Sequence, residues 1–153
     1  MKKRRGFIQI AILHLLQEEP MHGYRIMKEL EERADGYYSA SAGTVYPALQ
    51  ELVDREMIDV EPMADKKTYL IKEKGHERLK EFANRREGDF WSEWKSRLIW
   101  QSSDEAIQLR VTMEKWEKEL RKAMKQARQS PEKSAKLITF MEEMTELLKR
   151  ENN

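Results

Sequence analysis

The chain has 153 residues, of which 37% are charged and 39% are hydrophobic, and its formal net charge of +1 points to one or two small, helix-rich domains outside the membrane. The absence of cysteine excludes disulfides and thiolate metal sites, and it fits the reducing cytoplasm. The three histidines lack the helical spacing of a metal site, so we expect no metal and no cofactor.

The first segment, MKKRRGFIQIAILHLL, joins a basic start to an apolar run. Its apolar residues recur at helical spacing, which predicts a largely buried first helix with a basic arm. A secretory signal peptide is the alternative interpretation. Gln9 and His14 interrupt the run, however, and no small-residue cleavage site follows. The run is also too short to cross a bilayer.

The second predicted helix spans residues 22–34, and a following Asp-Gly pair ends it. We interpret His22-Gly23-Tyr24 as a structural motif. It shapes the entry to this helix and packs Tyr24 inside, with contact to a ligand as the alternative.

The third predicted helix lies in Ser39–Ile58, SASAGTVYPALQELVDREMI. Its first half is unusual, because small residues precede Tyr46 and a proline follows at position 47. If the helix starts near Ser41, Pro47 cannot donate to the carbonyl of Gly43, which leaves the first turn loose. The predicted inner stripe consists of Val45, Leu49, Leu52 and Val53.

Two alternating segments follow, residues 58–61 and 68–71, separated by a charged turn at 62–67. This pattern predicts a β-hairpin. Three helices followed by a hairpin are the winged helix-turn-helix arrangement. We therefore predict a mainly α fold, with a winged helix-turn-helix domain at residues 1–75.

Residues 76–153 are predicted to be helical throughout, with helix starts at Ser102-Ser-Asp-Glu105 and Ser130-Pro131. Apolar residues recur at roughly heptad spacing, and we predict that this domain makes a homodimer because these side chains are too apolar to leave in water. The residues expected to serve this role are Phe90, Trp94, Leu98, Leu137, Met141, Met144 and Leu148.

The start of the third helix is a candidate anion site. A helix start leaves about four backbone N–H groups unpaired and carries a partial positive charge, so phosphate binds there readily. Small residues allow a close approach, and Ser41 can cap the helix. The predicted DNA-binding residues are Lys3, Arg4, Arg5, Ser39, Ser41, Thr44, Tyr46, Gln50, Lys66 and Lys67.

The charge of this half does not by itself indicate nucleic acid, since residues 1–75 hold 12 Lys/Arg and 13 Asp/Glu. Affinity for DNA must therefore come from the placement of charges. A winged-helix adaptor that binds proteins without DNA is the second hypothesis, and Tyr46 as a half-buried surface tyrosine is the structural alternative. No catalytic constellation is present, so we expect no enzyme.

Four motifs carry a family resemblance: ILHLL at residues 12–16, PMHGY at 20–24, GTVYPAL at 43–49 and YLIKEKG at 69–75. Together they resemble the PadR family of bacterial transcriptional regulators. The chain departs from the family at Lys72, where threonine is usual at the helix start after the wing. It also departs at its wing tip, which has less glycine and arginine.

The resemblance implies a homodimeric repressor that binds a palindromic operator in double-stranded DNA, with an activator as the alternative. It also implies release by a small hydrophobic or phenolic effector. In some multidrug-responsive members, aromatic residues of the matching helix flank a pocket at the dimer interface. This points to Trp91 and Trp94 as effector-binding residues.

Overall fold

The computed structural model describes residues 2–63, 65–85 and 88–153, with the side chains of residues 2–5 and 63 outside the description. The chain divides into two compact units, an N-terminal unit (Met1–Ser102) and a C-terminal unit (Ser103–Asn153). The elements of the N-terminal unit are α1 (Lys2–Glu18), β1 (Met21–His22), α2 (Gly23–Arg33), α3 (Ala42–Asp54), β2 (Ile58–Met63), β3 (Lys66–Ile71), α4 (Glu73–Ala83) and α5 (Phe90–Gln101). The C-terminal unit consists of α6 (Asp104–Ala127) and α7 (Pro131–Glu151).

Helix α1 is the centre of the N-terminal unit. It contacts α2, α3, α4 and β3, so nearly every side of its second half is covered. This explains why the run from Ile10 to Leu13 is apolar without interruption, since a helix buried on all sides needs no polar face. The one buried polar side chain among the described core residues is Gln9, which donates to Glu51 of α3 at 2.6 Å.

The sheet has three antiparallel strands in the order β1–β3–β2. Strands β2 and β3 form the predicted hairpin, with Ile58 opposite Ile71 and Met63 opposite Lys66. Strand β1 has only two residues and pairs with Tyr69 and Thr68 of β3. The predicted mainly α winged helix-turn-helix fold is confirmed.

The boundary between the compact units lies at 102/103, whereas the sequence analysis placed a boundary at 75/76. The physical reason is that α4 and α5 contribute to the core of the N-terminal unit. Phe90 and Trp94 of α5 are 8% and 1% exposed, and the ring of Phe7 stacks on Trp94 with 5.3 Å between centroids. The expectation that these two side chains form a dimer surface was therefore wrong.

Two further expectations have clear outcomes. His22 does shape the start of α2, because its Nδ1 accepts a hydrogen bond from the backbone N–H of Arg25 at 3.2 Å. Tyr24, expected inside, is 68% exposed. The helix begins at Gly23, and this places Tyr24 on the side away from the buried Ile26 and Leu30.

The C-terminal unit is a hairpin of two helices with no fully buried side chain. The N-terminal cap of α6 is formed, since Ser103 Oγ accepts from the backbone N–H of Ala106 at 3.2 Å, as the start signal predicted. Ser130, the N-cap residue of α7, makes no side-chain capping hydrogen bond. Large apolar side chains of both helices are nonetheless exposed, among them Trp116, Phe140 and Leu148. Within the described residues, no helix is both long and apolar enough for a membrane span.

Trp94→Ala should lower the free energy of unfolding by about 3–5 kcal/mol, because it leaves a cavity beneath α5 in the core. Trp100→Ala is the matched control on the same helix, since Trp100 is 53% exposed. It should cost less than about 1 kcal/mol. Urea unfolding followed by circular dichroism measures both values. Equal losses in the two variants would contradict the buried position of Trp94.

Candidate nucleic-acid interface

The start of α3 is built as a partly open helix end. Ser41 is the N-cap residue, with extended backbone angles of φ −98° and ψ 148°, but its side chain makes no capping hydrogen bond to the backbone. Its Oγ instead lies 3.0 Å from Thr44 Oγ1. The expected side-chain cap is therefore absent. The first N–H groups of α3 keep their capacity to bind an anion.

Pro47 lies inside α3, as predicted, and its missing N–H leaves one carbonyl of the first turn without a helical donor. The inner face of the helix is formed by Val45, Ala48, Leu49 and Leu52, all of them buried. A methyl group at Gly43 would meet nothing within 4 Å. Gly43 therefore lies on an open surface, whereas Ala40 packs partly against the core.

Tyr46 is 44% exposed, and the outer end of its side chain lies against Gly23 at the start of α2. A Cβ at position 23 would come within 2.7 Å of the Tyr46 hydroxyl oxygen. Only glycine leaves space for the ring there. This contact joins two of the sequence motifs, PMHGY and GTVYPAL, and gives a physical reason for the glycine.

Around Tyr46 the starts of α2 and α3 and one side of the wing enclose a groove of about 350 Å³. Tyr69 forms its floor and is 7% exposed; burial, with a smaller effect of Tyr46, raises the pKa of its hydroxyl. The groove is lined by His22, Gly23, Tyr24, Tyr46, Asp65, Lys66, Lys67 and Tyr69.

The positive charge of this face comes from the wing. Lys66 and Lys67 are exposed, and neither takes part in an ion pair among the described residues. The cations of α2 are engaged instead: Arg25 pairs with Glu19, Lys28 with Glu32 at 3.8 Å, and Arg33 with Glu18 at 2.5 Å. The wing lysines are therefore the cations most available to a ligand in the groove.

The predicted residues are brought together only in part. Tyr46, Lys66 and Lys67 line one groove. Gln50 donates to Asp54 of its own helix at 2.8 Å, which occupies one N–H of its amide. Ser39 and Ser41 are exposed before α3, and Thr44 is half-buried in its first turn. The side chains of Lys3, Arg4 and Arg5 lie outside the described part of the structure.

His22 and Tyr24 also line this face, where the sequence analysis preferred a structural role for their motif over contact with a ligand. The rings of the two residues stack with 6.4 Å between centroids at its edge. The PMHGY motif was a usable signal, but Tyr24 was expected to pack inside. Chemically, the face offers hydroxyl groups, open backbone N–H groups and two lysines, a set that suits phosphate oxygens.

Comparison with known proteins finds a similar family. Residues 12–81 match the family described as "Transcriptional regulator PadR-like family". The N-terminal part of the chain is therefore similar to the PadR-like family. The matched range runs from within α1 to within α4, and it therefore contains α3, the wing and the groove around Tyr46. Members of this family are transcriptional regulators, not enzymes.

Among curated proteins, the chain is similar to the transcriptional regulator YqjI of Escherichia coli (strain K12), with 32% identity over 77 residues. The match covers 50% of this chain and 37% of that protein, so the chain spans little more than a third of the length of the curated relatives it matches.

Solved structures show the same fold. A transcriptional regulator from Clostridium thermocellum has 23% identity and a TM-score of 0.52, with 67% of this chain and 97% of that chain covered. A PadR-like transcription factor from Bacteroides fragilis has 24% identity and a TM-score of 0.50, with 63% and 91% covered.

Gly23→Ala should displace the ring of Tyr46, because the new methyl group would lie within 3 Å of its outer atoms. The ring is partly exposed and can move toward solvent, so the free energy of unfolding should stay within about 1 kcal/mol of wild type. NMR contacts between the Tyr46 ring and residue 23 measure the displacement. Gly43→Ala is the control, and it should leave the ring in place. A ring that keeps its position in Gly23→Ala would contradict the assigned contact.

Proposed function

We propose that this chain is a sequence-specific DNA-binding transcriptional regulator. In the full proposal it is a cytoplasmic homodimeric repressor of a palindromic operator, released by a small hydrophobic or phenolic compound. The observation that carries the proposal is the groove around Tyr46, with its open helix start and free wing lysines, inside a PadR-like domain.

Phosphate binding is the part of the proposal that the geometry supports most directly. The N-terminus of α3 supplies N–H donors and a partial positive charge, and the hydroxyls of Ser41, Thr44 and Tyr46 supply further donors. Lys66 and Lys67 add two cations that phosphate contact would use. These groups position the protein on the duplex and carry little sequence information.

Direct base reading is limited by the composition of α3. The helix has no lysine or arginine within Ala42–Asp54, so it lacks the arginine fork that reads guanine. The amide of Gln50 donates one N–H to Asp54, and its second N–H and its carbonyl oxygen are the groups that adenine would use. Specificity then depends on the hydroxyl groups, on the basic arm at residues 2–5 and on the shape of the DNA.

The alternative is a winged-helix adaptor that binds proteins, and the near-neutral charge of residues 1–75 favours it. Salt dependence discriminates between the two functions. Release of counterions from DNA makes the affinity of a phosphate-binding protein fall steeply with salt, whereas an adaptor has no DNA affinity to lose.

Replacement of both Lys66 and Lys67 by Ala should reduce the salt slope of operator binding by up to about two units. Tyr46→Ala should weaken binding without loss of helix content. The DNA upstream of the chain's own gene is the probe, and gel shifts over a salt series give the slope. Matched controls are Lys133→Ala with Lys136→Ala for charge and Tyr37→Ala for an equally exposed tyrosine. An unchanged affinity and slope in both test variants would argue for the adaptor.

The homodimer is supported by the C-terminal unit considered alone. A hairpin of two helices with no buried side chain has too little core to be stable by itself. Its apolar residues recur at heptad spacing on α6, at Leu109, Met113, Trp116 and Leu120, as in helices that pack into bundles. A second copy of the same hairpin completes a four-helix arrangement. A two-fold dimer places two α3 helices about 34–36 Å apart on successive major grooves.

Phe140→Glu combined with Leu147→Glu should convert the dimer into a monomer, because both side chains are exposed on one face of α7 and would carry charge into the interface. Thr139→Glu with Thr145→Glu adds the same charge at polar positions and is the control. Sedimentation equilibrium of the full chain measures the mass. If the Phe140/Leu147 variant keeps a dimeric mass, α7 does not form the dimer surface.

The effector part of the proposal rests on a cavity in the N-terminal unit. Its volume is about 270 Å³, enough for a compound with a single ring. Phe7, Tyr38, Trp94 and Arg97 contribute to its lining. The Tyr38 hydroxyl and the Trp94 indole nitrogen are buried and have no hydrogen-bond partner among the described residues. Both atoms lie beneath the surface of the cavity, so a bound compound with an oxygen acceptor gives them a partner when the lining side chains shift to admit it.

Trp91 takes a different position from the one expected of an effector residue. The Arg33 guanidinium carbon lies over the Trp91 ring, 4.5 Å from its centroid. Trp91 does not line the cavity. Trp94 is therefore the better supported of the two proposed effector residues. Release from DNA further requires that the compound bind the DNA-free arrangement more tightly than the DNA-bound one.

Tyr38→Phe removes only the hydroxyl group and should weaken the binding of a phenolic compound about tenfold, the effect of one lost hydrogen bond. Tryptophan fluorescence titrated with phenolic acids and with planar cationic dyes measures the affinity. Tyr24→Phe, at the DNA-binding face, is the control. If no compound alters the fluorescence or the operator affinity of the wild type, the effector part of the proposal fails while the DNA-binding part stands.

A further inference from the structure

His14 is a half-buried contact between α1 and the first turn of α5. Its ring stacks on Phe90 with 4.2 Å between centroids and a 21° angle between planes, and it meets the edge of Trp91 at 6.2 Å. The Nε2 atom is buried and has no hydrogen-bond partner among the described residues. The groove and the cavity described above do not include His14.

The neutral ring is compatible with this position. An imidazole that carries its proton on Nδ1 leaves Nε2 as a bare lone pair, which costs little inside an aromatic contact. The imidazolium must carry a proton on Nε2 as well. That N–H would be a buried, charged donor without an acceptor, and the cation–π attraction to Phe90 compensates only in part.

Charged side chains on each element packed around His14 affect its pKa. Glu18 lies on α1, Arg33 on α2, and Asp89 is the N-cap of α5. Burial lowers the pKa of His14, the two carboxylates raise it and the Arg33 guanidinium lowers it, with burial the largest effect. Asp89 stays ionised at mildly acidic pH, because hydrogen bonds from Ser92 lower its pKa.

We propose that His14 is an acid-sensitive anchor, which holds the first turn of α5 on the N-terminal unit while it is neutral and releases that turn when it is protonated. The anchored residues are Phe90 and Trp91. Arg33 holds the same turn from α2 through its contact with Trp91, and that contact does not titrate in this range.

The pH dependence of docking follows from the pKa of His14 in the docked and released states. Released His14 titrates near its ordinary value of 6.5, and in the docked state its pKa is lower. The docked state is therefore fully favoured above pH 6.5 and loses this advantage as the pH falls below that value. The ratio of released to docked protein rises by at most about tenfold per pH unit.

The experiment uses the full chain with Trp100 and Trp116 replaced by Phe, so that only Trp91 and Trp94 report. Their emission is recorded from pH 8 to pH 5, and a red shift with a midpoint below 6.5 is expected. His14→Phe keeps the aromatic stack, removes the titration and should abolish the shift. His76→Gln removes another histidine of the same unit and should retain it.

No shift in the starting protein, or a shift that persists in His14→Phe, would overturn the proposal. NMR titration of the His14 ring in the wild-type chain gives an independent test that does not depend on the folding of the variant. A His14 ring that titrates at or above 6.5 would also overturn it. DNA takes no part in either measurement, so the outcome is separate from that of the proposed function.

Discussion

The burial of α1 is the constraint on which the rest of the N-terminal unit depends. One helix supplies apolar contacts to α2, α3, α4 and β3 at once, so each of these elements takes its position from the same surface. The hydrogen bond from Gln9 to Glu51 adds a polar contact between α1 and α3 inside this packing. A group buried there without its partner is costly, and the pair therefore fixes the rotation of α3 about its own axis.

The proposed DNA-binding face takes its geometry from that packing. The buried stripe of α3 sets which residues remain outside, and Tyr46 is placed against Gly23 because α2 and α3 pack on the same helix. Strand β1 then ties the turn before α2 to the wing. The starts of α2 and α3 and the wing thus meet at one groove, although they are separated in the sequence. Their positions come from packing on the core.

Periodicity predicted most of the fold. The helices of the N-terminal half, the hairpin and the cap at Ser103 follow from local patterns, and local patterns determine local structure. The pairing of β1 with β3 was not predictable in this way, because a two-residue strand has no period of its own. The PMHGY motif was visible, but the direction of Tyr24 depends on which side of α2 the core covers.

The placement of α5 shows the limit more clearly. Phe90, Trp94 and Leu98 have the spacing of an apolar stripe. Such spacing predicts a buried face but does not identify the element that packs on it. The structure shows α1 and the loop before α3 as the cover, through Phe7 and Tyr38. The apolar stripe of α6, which includes Leu109, Met113 and Trp116, remains exposed in this structure.

The position of β1 on β3 determines which part of the wing can change in evolution. Strand β1 pairs with β3 only at Thr68 and Tyr69, midway along the hairpin. The pairs nearer the tip, Met63–Lys66 and Pro62–Lys67, are held by the hairpin alone. Residues added in pairs beyond Met63 and Lys66 lengthen the wing without altering the register at its root. The length and charge of the wing can therefore vary independently of the core, which lets a single scaffold be fitted to different DNA sites.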